Sequence, residues 1–319
     1  LRAPRSLRTL RTLRTPRTLR TLRTPHTPKP PNPPMSNRLF SRMKTSNKFR
    51  LLAFSFWLLA INTPANSQEL TANSQKVITS SRMIGIGGSN ILDTYLSAEQ
   101  FKGFGISFLA TVERHRPNKR WSTLMEHEAN LSFVRDRANS KKELDGAYNF
   151  YWGKLYRWQF FDDRLTLQAG GVVNATLGFI YNTSNSNNPA QARAHLNIMP
   201  TGVASYRFSL FGKPIMARYE LNLPLVGIMF SPNYGQSYYE IFTRGNYDHN
   251  VILTSFGNAP EWRQMLTVDA CITGKWTLRI GYLGNYQQYK VNQLKQHVYT
   301  HRFLIGFTRR FSIVNVKMR

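Results

Sequence analysis

The chain has 319 residues, with 43 Lys+Arg against 16 Asp+Glu, a formal net charge of +27 at pH 7 and a pI near 10.7. Such a balance ordinarily points to nucleic acid, but no helix-turn-helix, zinc-ligand or RNA-binding signature is present, so no nucleic-acid partner is expected. One cysteine, Cys271, excludes an intrachain disulfide framework and any cysteine-cluster metal site.

The first 42 residues repeat Leu-Arg-Thr and Thr-Pro units between Arg5 and Pro28. A tract with only positive charge and no core-forming pattern reads as a disordered or spurious leader rather than a basic arm. From Met43, or alternatively Met35, the sequence reads as a secretory signal. Lys44, Lys48 and Arg50 form the positive region, Leu51–Ile61 the short apolar run, and Ala65-Asn66-Ser67 the small residues of a cleavage site near Ser67/Gln68. The run is too short to span a bilayer as a helix, which takes about 20 residues. Residues 1–67 carry 14 of the 43 Lys+Arg and none of the 16 Asp+Glu, so the remainder keeps a net charge of +13. Its basic residues are then expected beside anionic lipid head groups.

A polar linker over residues 68–80 precedes a series of alternating segments, expected to form one domain over 81–312 with a short tail at 313–319. The clearest is Leu165–Tyr181, where every odd position is apolar, small or aromatic and the even ones are mostly polar or small. Side chains alternate across a strand, so this segment has one greasy and one largely polar face. It also outruns an ordinary strand of about 5–6 residues, and a membrane-crossing strand needs about 9–11.

The same pattern recurs along the chain. Ser81–Leu92 is a weak first strand. Lys102–Arg116 puts Phe104, Ile106 and Phe108 on one face, and Trp121–Val134 puts Trp121, Met125 and Phe133 outward. Ala147–Phe161 is aromatic and ambiguous, with either Lys154 or Arg157 on the greasy side. Then come Asn197–Phe211, Pro214–Phe230 (interrupted by Pro224, which demands a bulge or kink), Trp262–Thr273, Trp276–Tyr286 and Val298–Phe311.

Short connections at 117–120, 162–163, 212–213 and 274–275 alternate with longer ones around 93–101, 135–146, 182–196, 231–260 and 287–297. Short periplasmic turns and long outer loops mark outer-membrane barrels. The expected fold is therefore an all-β, up-and-down antiparallel transmembrane barrel of ten strands. The count becomes twelve if Tyr238–Thr243 and Val251–Phe256 form another hairpin. Gly306, Arg309 and Phe311 resemble in part the terminal signal read by the barrel-assembly machinery, an expected partner alongside outer-membrane lipid.

The inward faces place Glu113, Glu126, Glu128, Arg207, Arg218, Glu220, Asp269, Arg279 and Arg302 in the lumen. There they form either a structural charge network or the lining of a narrow solute path. The loop around 231–250 gathers Tyr234, Tyr238, Tyr239, Phe242, Tyr247, Asp248 and His249 as candidate contacts for a ligand or partner. His127 and His301 fall on the lipid-facing register, where a Ser/His pair could attack a lipid ester. No nucleophile is fixed by spacing, and neither catalytic residues, cofactor nor metal is expected.

The motifs NPAQA (188–192), SPNYGQSYYEIF (231–242), GNYDHN (245–250), RQMLT (263–267) and RIGYLG (279–284) resemble an uncharacterised outer-membrane β-barrel family of Bacteroidota, domain of unknown function 3316. The resemblance covers roughly residues 84–311. It implies a barrel in the outer membrane of a Gram-negative bacterium and supplies no catalytic residues. The expected role is a narrow, porin-like channel or small-solute uptake component. The alternatives are a closed structural or adhesive barrel presenting its outer loops, and a lipid-modifying barrel enzyme.

Overall fold

Long runs of two-residue periodicity leave the backbone one way to satisfy all its N–H and C=O groups against an apolar surround, which is to pair every strand on both sides. The computed structural model does this for every strand of its closed ring. It describes residues 75–186, 188–273 and 276–314, so the leader, the signal segment and its cleavage site lie outside the described residues.

The strands are β1 (Gln75–Asp93), β2 (Ser97–His115), β3 (Trp121–Arg135), β4 (Lys142–Phe160), β5 (Leu165–Asn182), β6 (Ala190–Leu210), β7 (Lys213–Asn222) and β8 (Val226–Phe230). A short helix α1 (Tyr238–Phe242) follows, then β9 (Val251–Ser255), β10 (Glu261–Thr273), β11 (Trp276–Val291) and β12 (Leu294–Val314). Each pairs antiparallel with its neighbours in the order β5-β4-β3-β2-β1-β12-β11-β10-β7-β6, and β5 pairs with β6 to close the ring.

That is a ring of ten staves, as expected. β8 and β9 extend two of them. β6 pairs with β7 up to Thr201↔Asn222 and with β8 from Ile198↔Val226. Across the gap, Leu223 and Leu225 still donate backbone hydrogen bonds to Pro200 and Ile198, at 3.1 and 2.9 Å. Pro224 thus kinks one continuous stave. β9 runs beside β8, and residues 256–260 bulge out before β10 resumes beside β7. The twelve-strand alternative is overturned: Tyr238–Phe242 is helical and Val251–Ser255 belongs to an existing stave.

Other boundaries shift too. β4 begins at Lys142 and β6 at Ala190, inside segments read from sequence as loops, and the first strand starts at Gln75. Two connections expected to be long are short. β1 and β2 are joined through residues 94–96, and β11 and β12 through Asn292 and Gln293, both at positive φ.

The outer surface is apolar over the height of the barrel. Ile84, Ile106, Phe108, Val173, Leu177, Ile198, Leu266, Phe303 and Ile305 are all exposed. So continuous an apolar exterior marks a membrane-facing surface. Aromatic rings sit near both rims: Trp121 packs edge-on to Tyr156 and Trp276 to Phe307 at one, and Trp262 stacks on Tyr286 at the other. The β4 register resolves with Lys154 outward, between Trp152 and Trp158, and Arg157 inward. Among the described residues no helix is long and apolar enough to cross a membrane.

Candidate functional site

Alternation fixes the parity of each stave, so one inward charge on a strand implies that its i±2 neighbours also point inward. At mid-height this brings Glu126 and Glu128 of β3, Glu220 of β7 and Arg263 of β10 together, none more than 1% exposed at its side chain. Arg263 Nε donates to Glu128 Oε2 at 2.9 Å and Nη1 to Glu220 Oε1 at 3.3 Å. Its Nη2 lies 2.8 Å from Glu126 Oε2 but is out of line for a hydrogen bond, so that contact is an ion pair only. The guanidinium also sits 4.6 Å from the centre of the Tyr151 ring, a cation–π contact in a water-excluded place.

The network extends from there. Arg218 bridges Glu113 and Glu220, at 2.9 Å to each, and Gln168 donates to Glu113 at 2.7 Å. Arg279 grips Asp269 with two bonds of 2.5 and 2.7 Å and donates to Ser81. Toward the long-loop end Arg193 donates to Asp145 at 2.5 Å and to Gln287, which in turn donates to Glu261. Apolar clusters fill the space between these layers: Leu124, Tyr151, Leu155, Val172, Met199 and Val203 on one side, Met83, Leu109, Met265, Leu283 and Leu304 on the other.

Seven of the nine lumen residues expected from sequence belong to this carboxylate–guanidinium network. Two do not. Arg302 is fully buried but meets no carboxylate; it donates to Ser107, Ser89, Ser132 and the Gly88 carbonyl, because its β12 position faces the serine-rich inner faces of β1–β3. Arg207 is exposed near the end of β6, beyond the packed zone. Sequence reading missed Arg263, Arg193, Asp145, Glu143 and Glu261. Arg263 has the parity of Asp269 on the same strand and could have been found that way.

At the long-loop end the candidate contact residues divide. Tyr234, Tyr239, Phe242 and Tyr247 are exposed, as are Asp248 and His249, 2.5 Å apart. Tyr238 is not a free surface group. It donates to Gln191, accepts from the Ala192 N–H and packs edge-on to Tyr95. Ile241 of α1 is fully buried, so the loop is seated on the barrel. Ser237 caps α1, and its backbone N–H and hydroxyl both donate to the Glu240 carboxylate, holding that carboxyl below its usual range. A lowered carboxyl stabilises the fold above its unfolded pKa and loses that contribution as pH falls through the folded one. Acidification below the ordinary glutamate range, through that lowered pKa, is therefore expected to make the 231–250 loop more open to protease. Ser237→Ala should raise its opening about fivefold already at neutral pH, the effect of a lost N-cap, as read by hydrogen exchange.

His127 and His301 each meet a tyrosine hydroxyl rather than a serine, Tyr148 and Tyr282, both at 2.6 Å. Among the described residues no group of three or more His, Cys, Asp or Glu could hold a metal ion.

At the short-turn end the lumen opens into a cavity of about 310 Å³, with Arg218, Asp269 and Arg279 among its lining and Arg157, Arg207, Arg310 and His115 around them.

The fold and its polar interior thus define a closed ten-stave β-barrel with an apolar exterior. Residues 51–318 match the model of a protein family of unknown function (DUF3316), and the chain belongs to that family. Among solved structures, similar ones are the outer membrane protease OmpT from Escherichia coli (7% identity, covering 77% of this chain and 99% of that one, TM-score 0.42) and the transport unit of the autotransporter AIDA-I from Escherichia coli (6%, 81% and 94%, TM-score 0.42). Neisserial surface protein A is also similar (10%, 74% and 97%, TM-score 0.30). No curated protein matches the sequence significantly.

Proposed function

We propose that this chain is an integral outer-membrane barrel with a plugged lumen, which acts through its two ends rather than by passing solute along its axis. The observation that carries the reading is the Arg263 cluster: three carboxylates converge on one guanidinium at mid-height, all with essentially no exposure. A water-filled path would leave such groups wet and individually mobile, as in wide porins. Here separate apolar clusters fill the lumen beside the charges instead. Between the two readings of the lumen charges, this favours the structural network over the narrow channel.

The membrane placement rests on the exposed apolar belt, the aromatic rims and the closed pairing of the ten ring strands. The exposed Tyr234, Tyr239, Phe242 and Tyr247 give the long-loop end a surface suited to recognition.

Planar-bilayer recording on the full-length protein tests this. A preparation whose gel band is heat-modifiable, and therefore folded, should show no discrete conductance steps. Steps in the unmodified protein that vanish on Arg218→Glu would establish a channel and sink the proposal.

A further inference from the structure

The geometry points to an anion site at the short-turn end, built to hold a phosphate ester. Three arginines reach the same cavity from different parts of the ring: Arg157 from β4, Arg207 from β6 and Arg310 from β12. The register explains their meeting. Arg157 lies across from Gln168 on β5, Arg207 across from Met216 on β7, and Arg310 across from Thr79 on β1, which itself faces Glu113 on β2. His115 joins them from the end of β2.

Unlike Arg193, Arg218, Arg263 and Arg279, these three form no ion pair among the described residues, which gives them a different task. The nearby carboxylates are already committed. Glu113 is held by Arg218 and Gln168, and Asp269 by both arms of Arg279. The buried Nε of Arg157 and Nδ1 of His115 have no hydrogen-bond partner. Like charges gathered in a concave place with low-dielectric walls raise the local concentration of anions.

A single carboxylate is satisfied by one guanidinium fork. Forks arriving from three sides, with an imidazole, match the several terminal oxygens of a phosphate group. The apolar part of the wall, Phe208, Ile215 and Met216, can lie against the organic portion of an ester. A free phosphomonoester and a phospholipid head group share this chemistry, and the site sits where either could enter.

The test uses the full-length protein folded in a neutral-headgroup detergent, titrated with glycerol 3-phosphate by calorimetry at low salt. In parallel, its thermal midpoint is measured in vesicles of phosphatidylcholine alone or mixed with phosphatidylglycerol. Saturable binding of glycerol 3-phosphate, weakened about tenfold or more by Arg157→Gln/Arg207→Gln, supports a site for free esters. No such binding, but a midpoint raised by phosphatidylglycerol and insensitive to it in the double variant, supports a head-group site. Arg310→Gln, at the exposed rim, serves as a second probe should the double variant fold poorly. Arg309→Gln is the control, since Arg309 lies outside over the Trp276 ring at 4.1 Å. If neither ligand response changes in Arg157→Gln/Arg207→Gln or in Arg310→Gln, or if Arg309→Gln changes it equally, the inference is overturned.

Discussion

Arg263→Ala is expected to destabilise the barrel by about 3–5 kcal/mol, the cost of removing one partner from a buried ion cluster. The reason is what it leaves behind. Glu126 and Glu128 would be left without a cation, and Glu220 would keep only Arg218, which it shares with Glu113. Asn130 and Asn222 donate to Glu128 and Glu220, at 2.8 and 3.1 Å, too little to offset the two stranded charges. The midpoint of urea unfolding in lipid vesicles should fall accordingly. Neutralising the cluster as a whole, with Arg263→Met and all three glutamates changed to glutamine, should recover most of the loss. A wild-type midpoint for Arg263→Ala would mean that water reaches the cluster freely.

Gly306→Val should block closure of the ring. An added β-carbon there would meet the Arg82 carbonyl oxygen at 2.0 Å and Met83 Cα at 2.6 Å, both backbone atoms of the facing strand. The contact lies in the seam where β1 pairs with β12 from Gln75↔Val314 to Asp93↔Gln296. Nothing flexible can yield, so the penalty is about 3 kcal/mol or more, the upper range for overpacking, and it falls on the one pairing that joins the two ends of the barrel. The heat-modifiable band should largely disappear in Gly306→Val. Gly202→Ala, at a strand position with nothing within 4 Å and no positive φ, should keep it. A folded Gly306→Val barrel would show that the seam can slip to another register.

Much of the architecture was legible because a stave exposed to lipid on one side must alternate. Phe104, Ile106 and Phe108 on β2 and the odd positions of β5 sit where their period places them. The rims were less legible. Staves such as β4 and β6 run on past the sequence-read strands, where outward alanines such as Ala190, Ala192 and Ala194 or a lone Leu144 give only a weak apolar period, so Lys142–Gly146 and Ala190–Leu196 read as loop and concealed Asp145 and Arg193. The Asn292–Gln293 turn carries no glycine. The α1 helix had a readable signature, Ser237 followed by Glu240 as a capping box, but lay in a stretch whose tyrosines suggested strand. The short-turn cavity was hardest to anticipate. Its arginines come from strands far apart in sequence, and only the ring closure makes them neighbours.

The cavity beside the short turns bears on which compartment a ligand of the proposed anion site would come from. A cavity at that end, beneath the packed ion cluster, would exchange with the solution or leaflet on its own side. Its occupancy follows the chemical potential of ligand there, whatever prevails across the membrane. On the proposed plugged-lumen reading, such a barrel would dissipate no gradient, however much of it the cell inserts.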